Sequence, residues 1–368
     1  MIPIRPNVLE MQAYSPGKPI DEVKRELGLD RVVKLASNEN PFGPSPRAIE
    51  AVKKAVERMH IYPDAAAHDL KGALSARLSL PTTNLMVGNG SDELIHLIGL
   101  ILLGDEDQMV MGDPSFSRYD AAAQIGESRL IKVPLDAEYR HDLPAMARAT
   151  TAKTKLIWIA NPNNPTGTIV RKAELDRFLD DLPEDVVVVL DEAYYEFAAE
   201  VPDFPNARDY VAAGKNVIGL RTFSKAYGLA GIRLGYGFGP ETIIDAINRV
   251  REPFNVNCLA QLAGIAALED QEHVRKTVEN NRRGLNTLAG VFERVGAKPC
   301  ESFANFIYAD LGRPARPVFQ ALLERGVITR SGDVLGNPNC LRVSVGSEEE
   351  MQIFVEELEN VLSPAVAR

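Results

Sequence analysis

Lys225 lies in the stretch Gly219–Gly239, GLRTFSKAYGLAGIRLGYGFG, with Thr222 and Ser224 three and one positions before it and Arg233 eight after it. Two hydroxyls and a guanidinium supply hydrogen bonds to an anion, and the small residues Ala226, Gly228, Ala230 and Gly231 read as room for backbone to approach it. A lysine amine desolvated there, beside another cation, loses basicity and becomes a nucleophile toward carbonyl carbon. The plain alternative is a solvated lysine in a glycine-rich loop, so the other segments carry the decision.

Gly88–Glu93, GNGSDE, stands between a short strand predicted at Leu85–Val87 and a helix-forming run, LIHLIGLILL. Gly90, Ser91 and Asp92 open that helix, whose free N–H groups and positive dipole end attract an anion. Capping by Ser91 or Asp92 alone is the other use of these residues. No Walker lysine follows and G-x-G-x-x-G is absent, which lowers nucleotide readings. After a strand predicted at Gln108–Met111, GDPSFSRY carries Phe116 and Tyr119 past the strand end, where open α/β sheets hold ligands. An aromatic there stacks on a flat cofactor or packs in the core.

The apolar run LIWIA, Leu156–Ala160, reads as a buried parallel strand and leads into NPNNPTG, where Asn164 is held extended by Pro165. VVVVL, Val186–Leu190, ends in Asp191, Glu192, Ala193, Tyr194 and Tyr195, and NVIGL, Asn216–Leu220, delivers Lys225. Asn164, Asp191 and Lys225 are thus expected on one sheet edge. A carboxylate, an amine and a phosphate cradle suit a phosphorylated pyridine bearing an aldehyde: the amine forms an imine, and the carboxylate keeps the ring nitrogen protonated.

The elements that must position these groups need more than one core, since the chain has 368 residues. An N-terminal arm (1–40) packing with the small domain, a large cofactor-binding domain (41–255) and a small α+β C-terminal domain (256–368) are expected, with the break at Arg251–Asn257, REPFNVN. A net charge of -10 argues against a general nucleic-acid binder. Three scattered cysteines and five scattered histidines show neither a disulfide framework nor metal-ligand spacing, so no metal is expected. No apolar run approaches membrane-spanning length, and a cytoplasmic protein is expected. In the C-terminal part, Arg342 sits inside the strand-like LRVSV, where a planar guanidinium suits a carboxylate, and Arg330 is a second candidate anion binder or a surface charge.

KLASNENPFGPSP, IYPD, GNGSDE, NPNNPTG, DEAYYEF, RTFSKAYGLAGIRLGY and LRVSVG span nearly the whole chain. Together they resemble the fold type I pyridoxal-phosphate aminotransferases, most closely the histidinol-phosphate aminotransferase family. The resemblance implies an α/β large domain with a mixed, mostly parallel seven-stranded sheet flanked by helices, a small α+β domain and the arm. By resemblance Lys225 binds pyridoxal 5'-phosphate and moves the substrate Cα proton. Asp191 partners the ring nitrogen, and Tyr194 and Asn164 donate to the phenolic oxygen. Gly90, Ser91, Asp92, Thr222, Ser224 and Arg233 surround the phosphate, Phe116 stacks on the ring, and Tyr62 reaches the phosphate of a neighbouring subunit in a homodimer. Arg342 matches the substrate carboxylate binder, and Arg330 with Tyr14 matches the surroundings of the substrate phosphate. The activity implied is transamination of L-histidinol phosphate with 2-oxoglutarate. An aromatic amino acid aminotransferase is the nearest alternative, a threonine-phosphate decarboxylase a further one.

Overall fold

The computed structural model describes residues 2–11, 13 and 17–362. Strands β1 Leu85–Asn89, β2 Gln108–Asp113, β3 Arg129–Pro134, β4 Thr154–Ala160, β5 Val187–Asp191, β6 Val217–Thr222 and β7 Leu234–Phe238 form one sheet in the order β1-β7-β6-β5-β4-β2-β3. β7 runs antiparallel to both neighbours and every other pair is parallel, giving the mixed, mostly parallel sheet expected. Helices cover both faces, so the central strands are apolar throughout. Ile157, Ile159, Val188 and Leu190 enter one core, while Leu156, Trp158, Val187 and Val189 enter the other, as the two-residue repeat of a strand requires.

Two strands carry weak sequence signals. β3 is an edge strand with a partly exposed face, so its residues are mixed. β7 is concealed in the glycine-rich stretch: a Cβ on Gly235 would lie 2.3 Å from the Ser91 nitrogen, and one on Gly237 2.4 Å from Met86 Cε. Gly228 corrects an expectation. The space beside it is taken by the Gly43 carbonyl, 2.1 Å from where a Cβ would sit, rather than kept for an anion.

A smaller antiparallel sheet joins Arg330–Ser331, Cys340–Ser344, Phe306–Asp310 and Lys298–Pro299. Helices Gln271–Arg294, Ala315–Glu324 and Glu348–Leu362 pack with it around Leu288, Phe292, Leu341 and Phe354. Val33–Lys34 pairs with Val327–Ile328 beside this sheet, and Val23 and Ala36 pack on Leu323 and Ile328. The short helix Pro6–Glu10 instead lies near helix Arg118–Ile125, where Arg5 pairs with Glu127 and Asn7 donates to the Gln124 carbonyl. Helix Cys258–Glu269, expected with the small domain, buries Ala260, Ala263 and Ala267 in the core of the large sheet. Its small residues let it come close: a Cβ on Gly264 would meet Leu234 at 2.5 Å. The chain crosses between cores inside helix Gln271–Arg294, with Val274 in one and Leu288 and Phe292 in the other. Among the described residues no helix is long and apolar enough to cross a membrane.

Arg221 and Glu192 form an ion pair of 2.8 Å at the ends of β6 and β5, their side chains 5% and 2% exposed. Arg221 also lies 3.3 Å over the Tyr195 ring and donates to Asn206, while Glu192 accepts from the Ala207 N–H. Glu192→Ala leaves the buried guanidinium without its counter-charge and is expected to destabilise the fold by about 3–5 kcal/mol, read as a lowered denaturant midpoint.

Candidate active site

The C-terminal ends of β4, β5 and β6 are adjacent, with Ala160 opposite Asp191 and Asp191 opposite Leu220. Asn164, Asp191 and Lys225 follow from those ends, as the apolar runs predict. Asp191 is buried; its Oδ2 accepts from the Tyr119 hydroxyl at 2.7 Å and its Oδ1 from the Ala193 N–H at 3.1 Å. Burial raises its pKa to about 6, against the lowering effect of these two hydrogen bonds. Tyr119 is held by stacking on Trp158, ring centroids 4.5 Å apart. A protonated ring nitrogen would supply the positive partner that favours the charged form of such a carboxylate.

Lys225 Nζ donates to the Ser37 carbonyl at 3.1 Å and lies 5.9 Å from the centre of the Tyr194 ring. Burial, and then the charge of Arg342, lower its pKa to about 8. The Tyr194 phenol is buried, accepts from Asn38 Nδ2 at 2.9 Å and meets Phe306 edge-on. Arg342 is also buried. It donates to Asn164 Oδ1 and, at 2.8 Å, to the Ala36 carbonyl, so its fork is held by the loop after β4 and by the N-terminal segment. Arg330 stands opposite Arg342 in the neighbouring strand, which puts both guanidinium groups on one face of the small sheet.

A cluster of anion-binding donors assembles where β1 turns into helix Ser91–Leu102. Gly90, at φ +75, precedes the helix; Arg233 donates to Asp92 at 3.3 Å, to the Ala230 carbonyl at 3.0 Å and to Ser224 Oγ at 3.5 Å. Thr222 Oγ1 accepts from the Ser224 N–H at 3.1 Å. Helix N–H groups, hydroxyls and a guanidinium are the donor set of a phosphate monoester. Gly90 is bare for a reason: its Cβ would lie 2.4 Å from Arg233 Nη2. Gly90→Ala displaces that guanidinium and strains the backbone, so the affinity of this corner for a phosphate monoester is expected to fall by about 10- to 100-fold, the loss of one charge-assisted hydrogen bond, in an equilibrium titration.

Phe116 is half-buried, edge-on to Tyr119 with centroids 5.7 Å apart, beside the residue that holds Asp191. Tyr62 is 80% exposed and stacks on Phe254 at 4.7 Å. Tyr14 lies outside the described residues. Three roles escape sequence reading: Tyr119 stands out there only as an aromatic past a strand end, not as the partner of Asp191, and Ala36 and Ser37 act through backbone carbonyls, which no residue type announces.

A lysine of depressed basicity, a buried carboxylate and a cluster of anion-binding donors thus gather around one sheet edge, the donor set of an enzyme that holds a phosphorylated carbonyl compound. The family described as aminotransferase class I and II matches residues 30–358, and the chain belongs to that family. Within it, the chain is 49% identical over 360 residues to the histidinol-phosphate aminotransferase of Moorella thermoacetica, covering 98% of this chain and 93% of that protein. It is 45% identical over 359 residues to histidinol-phosphate aminotransferase 2 of Carboxydothermus hydrogenoformans, with coverage of 98% and 99%. The crystal structure of histidinol-phosphate aminotransferase from Sinorhizobium meliloti in complex with pyridoxal-5'-phosphate aligns with a TM-score of 0.90 at 28% identity, covering 100% of this chain and 99% of that one.

Proposed function

We propose that this chain is a pyridoxal-phosphate-dependent aminotransferase that passes the amino group of L-histidinol phosphate to 2-oxoglutarate, a step of histidine biosynthesis. The observation that carries the substrate is the 49% identity, over 98% of the chain, to a histidinol-phosphate aminotransferase. Pyridoxal phosphate supplies an electron sink conjugated to the substrate Cα. The protein does the rest. Lys225, with its proton affinity lowered, would hold the cofactor through its aldehyde carbon and would be the group that moves the substrate Cα proton. Asp191, oriented by Tyr119 and the Ala193 N–H, would keep the ring nitrogen of the cofactor protonated. Asn164 accepts from Arg342 through Oδ1, so its amide N–H groups would be the ones to donate to the phenolic oxygen of the cofactor, together with Tyr194. Gly90, Ser91, Asp92, Thr222, Ser224 and Arg233 would hold the phosphate, and Phe116 would cover the ring. Arg342 takes the carboxylate of the oxo acid, while Arg330 and Tyr14 take the phosphate of the donor.

The working unit is a homodimer in the cytoplasm. Supporting it, Tyr62, Met59, Ile61 and Phe254 are large apolar or aromatic side chains exposed around one corner, with Tyr62 and Phe254 stacked. Tyr62 from that corner completes the partner's phosphate site.

Donor identity is tested by mixing cofactor-loaded enzyme with histidinol phosphate, phenylalanine, tyrosine or threonine phosphate and following the visible absorbance of the lysine-bound cofactor. Histidinol phosphate is expected to bleach it at the lowest concentration. Bleaching by phenylalanine at lower concentration, or carbon dioxide release from threonine phosphate, overturns the substrate assignment.

A further inference from the structure

Three consecutive residues of the KLASNENPFGPSP segment each hold one functional side chain. Ala36 accepts from Arg342 at 2.8 Å, Ser37 accepts from Lys225 at 3.1 Å, and Asn38 donates to the Tyr194 oxygen at 2.9 Å. Asn38 is the only one of the three that acts through its side chain, and that side chain is tightly fixed. It is 2% exposed, with backbone φ +56. Its N–H donates to Ser344 Oγ at 2.9 Å, the Ser344 hydroxyl donates back to its Oδ1 at 2.8 Å, and its carbonyl accepts from Asn305 Nδ2 at 2.9 Å.

In the orientation seen here Oδ1 takes the Ser344 hydroxyl proton and Nδ2 faces the phenol; reversed, Nδ2 and the Asn38 N–H would both donate to the Ser344 oxygen, and the hydroxyl proton would lose Oδ1 as its acceptor. An amide NH2 can only donate, so on that side the Tyr194 oxygen is an acceptor and its proton is not engaged by Asn38.

We propose that Asn38 is a positioning residue for Tyr194: by donating to the phenol oxygen it directs the Tyr194 O–H toward the phenolic oxygen of the bound cofactor and strengthens it as a donor. The strengthening follows from polarisation along a chain of hydrogen bonds. Ser344 ends the strand that carries Arg342 and Asn305 precedes its neighbour, so the same asparagine fastens the phenol to the small sheet. This inference rests on the reading of Tyr194 as a donor to the cofactor.

The test compares Asn38→Gly, Asn38→Asp, Tyr194→Phe and the double variant Asn38→Gly/Tyr194→Phe by pH titration of the visible absorbance of the lysine-bound cofactor. Glycine keeps the left-handed backbone without strain and removes the amide. Aspartate keeps the shape but offers an acceptor, which takes the Tyr194 proton to itself. A donor to the phenolic oxygen withdraws charge that otherwise holds the proton of the lysine–cofactor linkage, so losing that donor raises the midpoint. Tyr194→Phe is expected to raise it by about one to two units, ten- to hundredfold in proton affinity, the range of a hydrogen bond to a charged group. Asn38→Asp should match that rise with the phenol still present. Asn38→Gly should give a smaller rise, and should add nothing in the Tyr194→Phe background. If Tyr194→Phe moves the midpoint while both Asn38 variants leave it unchanged, or if the Asn38→Gly shift persists in full without the phenol, the inference is overturned and the reading of Tyr194 stands. If Tyr194→Phe leaves the midpoint unmoved, the reading of Tyr194 fails and the inference with it.

Discussion

Lys225→Ala enzyme is expected to retain less than about one ten-thousandth of wild-type turnover, because a proton-transfer group contributing about 10²–10⁴-fold and the nucleophile are removed together. Single-turnover consumption of histidinol phosphate measures the loss, and the visible absorbance of the lysine-bound cofactor disappears with it. Retained absorbance would sink the assignment of this lysine. The same side chain predicts a pH dependence. Burial and the Arg342 charge bring its pKa from 10.5 to about 8, so cofactor uptake by the apoprotein should rise with pH as the neutral amine accumulates and level off above about 8. The linkage has a definite sign. Between pH 8 and 10.5 the unfolded chain binds the proton that the native amine has released, so native stability rises with pH across that window. Below it the native state carries the full cost of burying the charge. Lys225→Met apoprotein is therefore expected to melt above the wild type at pH 7 and to lose that lead as the pH approaches 10.5, a comparison thermal unfolding makes directly.

Asp191→Asn is expected to lower kcat by about 10²–10³-fold, the range seen when one preorganised electrostatic partner is removed from a transition state. The substitution keeps the size of the side chain and hydrogen-bonding groups for Tyr119 and the Ala193 N–H, so the fold and the ring's position are preserved while the negative charge is lost. Steady-state rates with histidinol phosphate check this, and an unchanged kcat would remove Asp191 from the chemistry. Because burial places the carboxyl's pKa at about 6, wild-type apoprotein should bind pyridoxal phosphate less tightly as the pH falls through that value. Asp191→Asn should lack this acid limb, leaving only the pH dependence shared by both proteins.

Elements with a simple period were legible in advance. β4 and β5 are continuous apolar runs closed by turn residues, so their ends, and with them Asn164 and Asp191, could be placed from local pattern alone. β7 was not, because its glycines answer to the Ser91 backbone and Met86, which lie far away in the chain. Helix Cys258–Glu269 has the period of a helix, yet its alanine face says nothing of which core receives it.

By itself, the sequence determined the chemical kit and its approximate address: a lysine between hydroxyls, a carboxylate after a buried strand, a glycine turn into a helix, and an arginine in a late strand. Local residue type and spacing suffice for these, because each depends on its own strand or helix. Only the tertiary structure decided how the kit is tuned. Tyr119 reaches Asp191 across 72 positions, Asn38 reaches Tyr194 across 156, and Arg342 reaches Ala36 across 306. Those contacts hold the carboxylate, the phenol and the guanidinium in place, and burial with the Arg342 charge lowers the basicity of Lys225. They depend on burial and on backbone carbonyls brought together from distant segments, and neither is a property of any residue taken in its place along the chain.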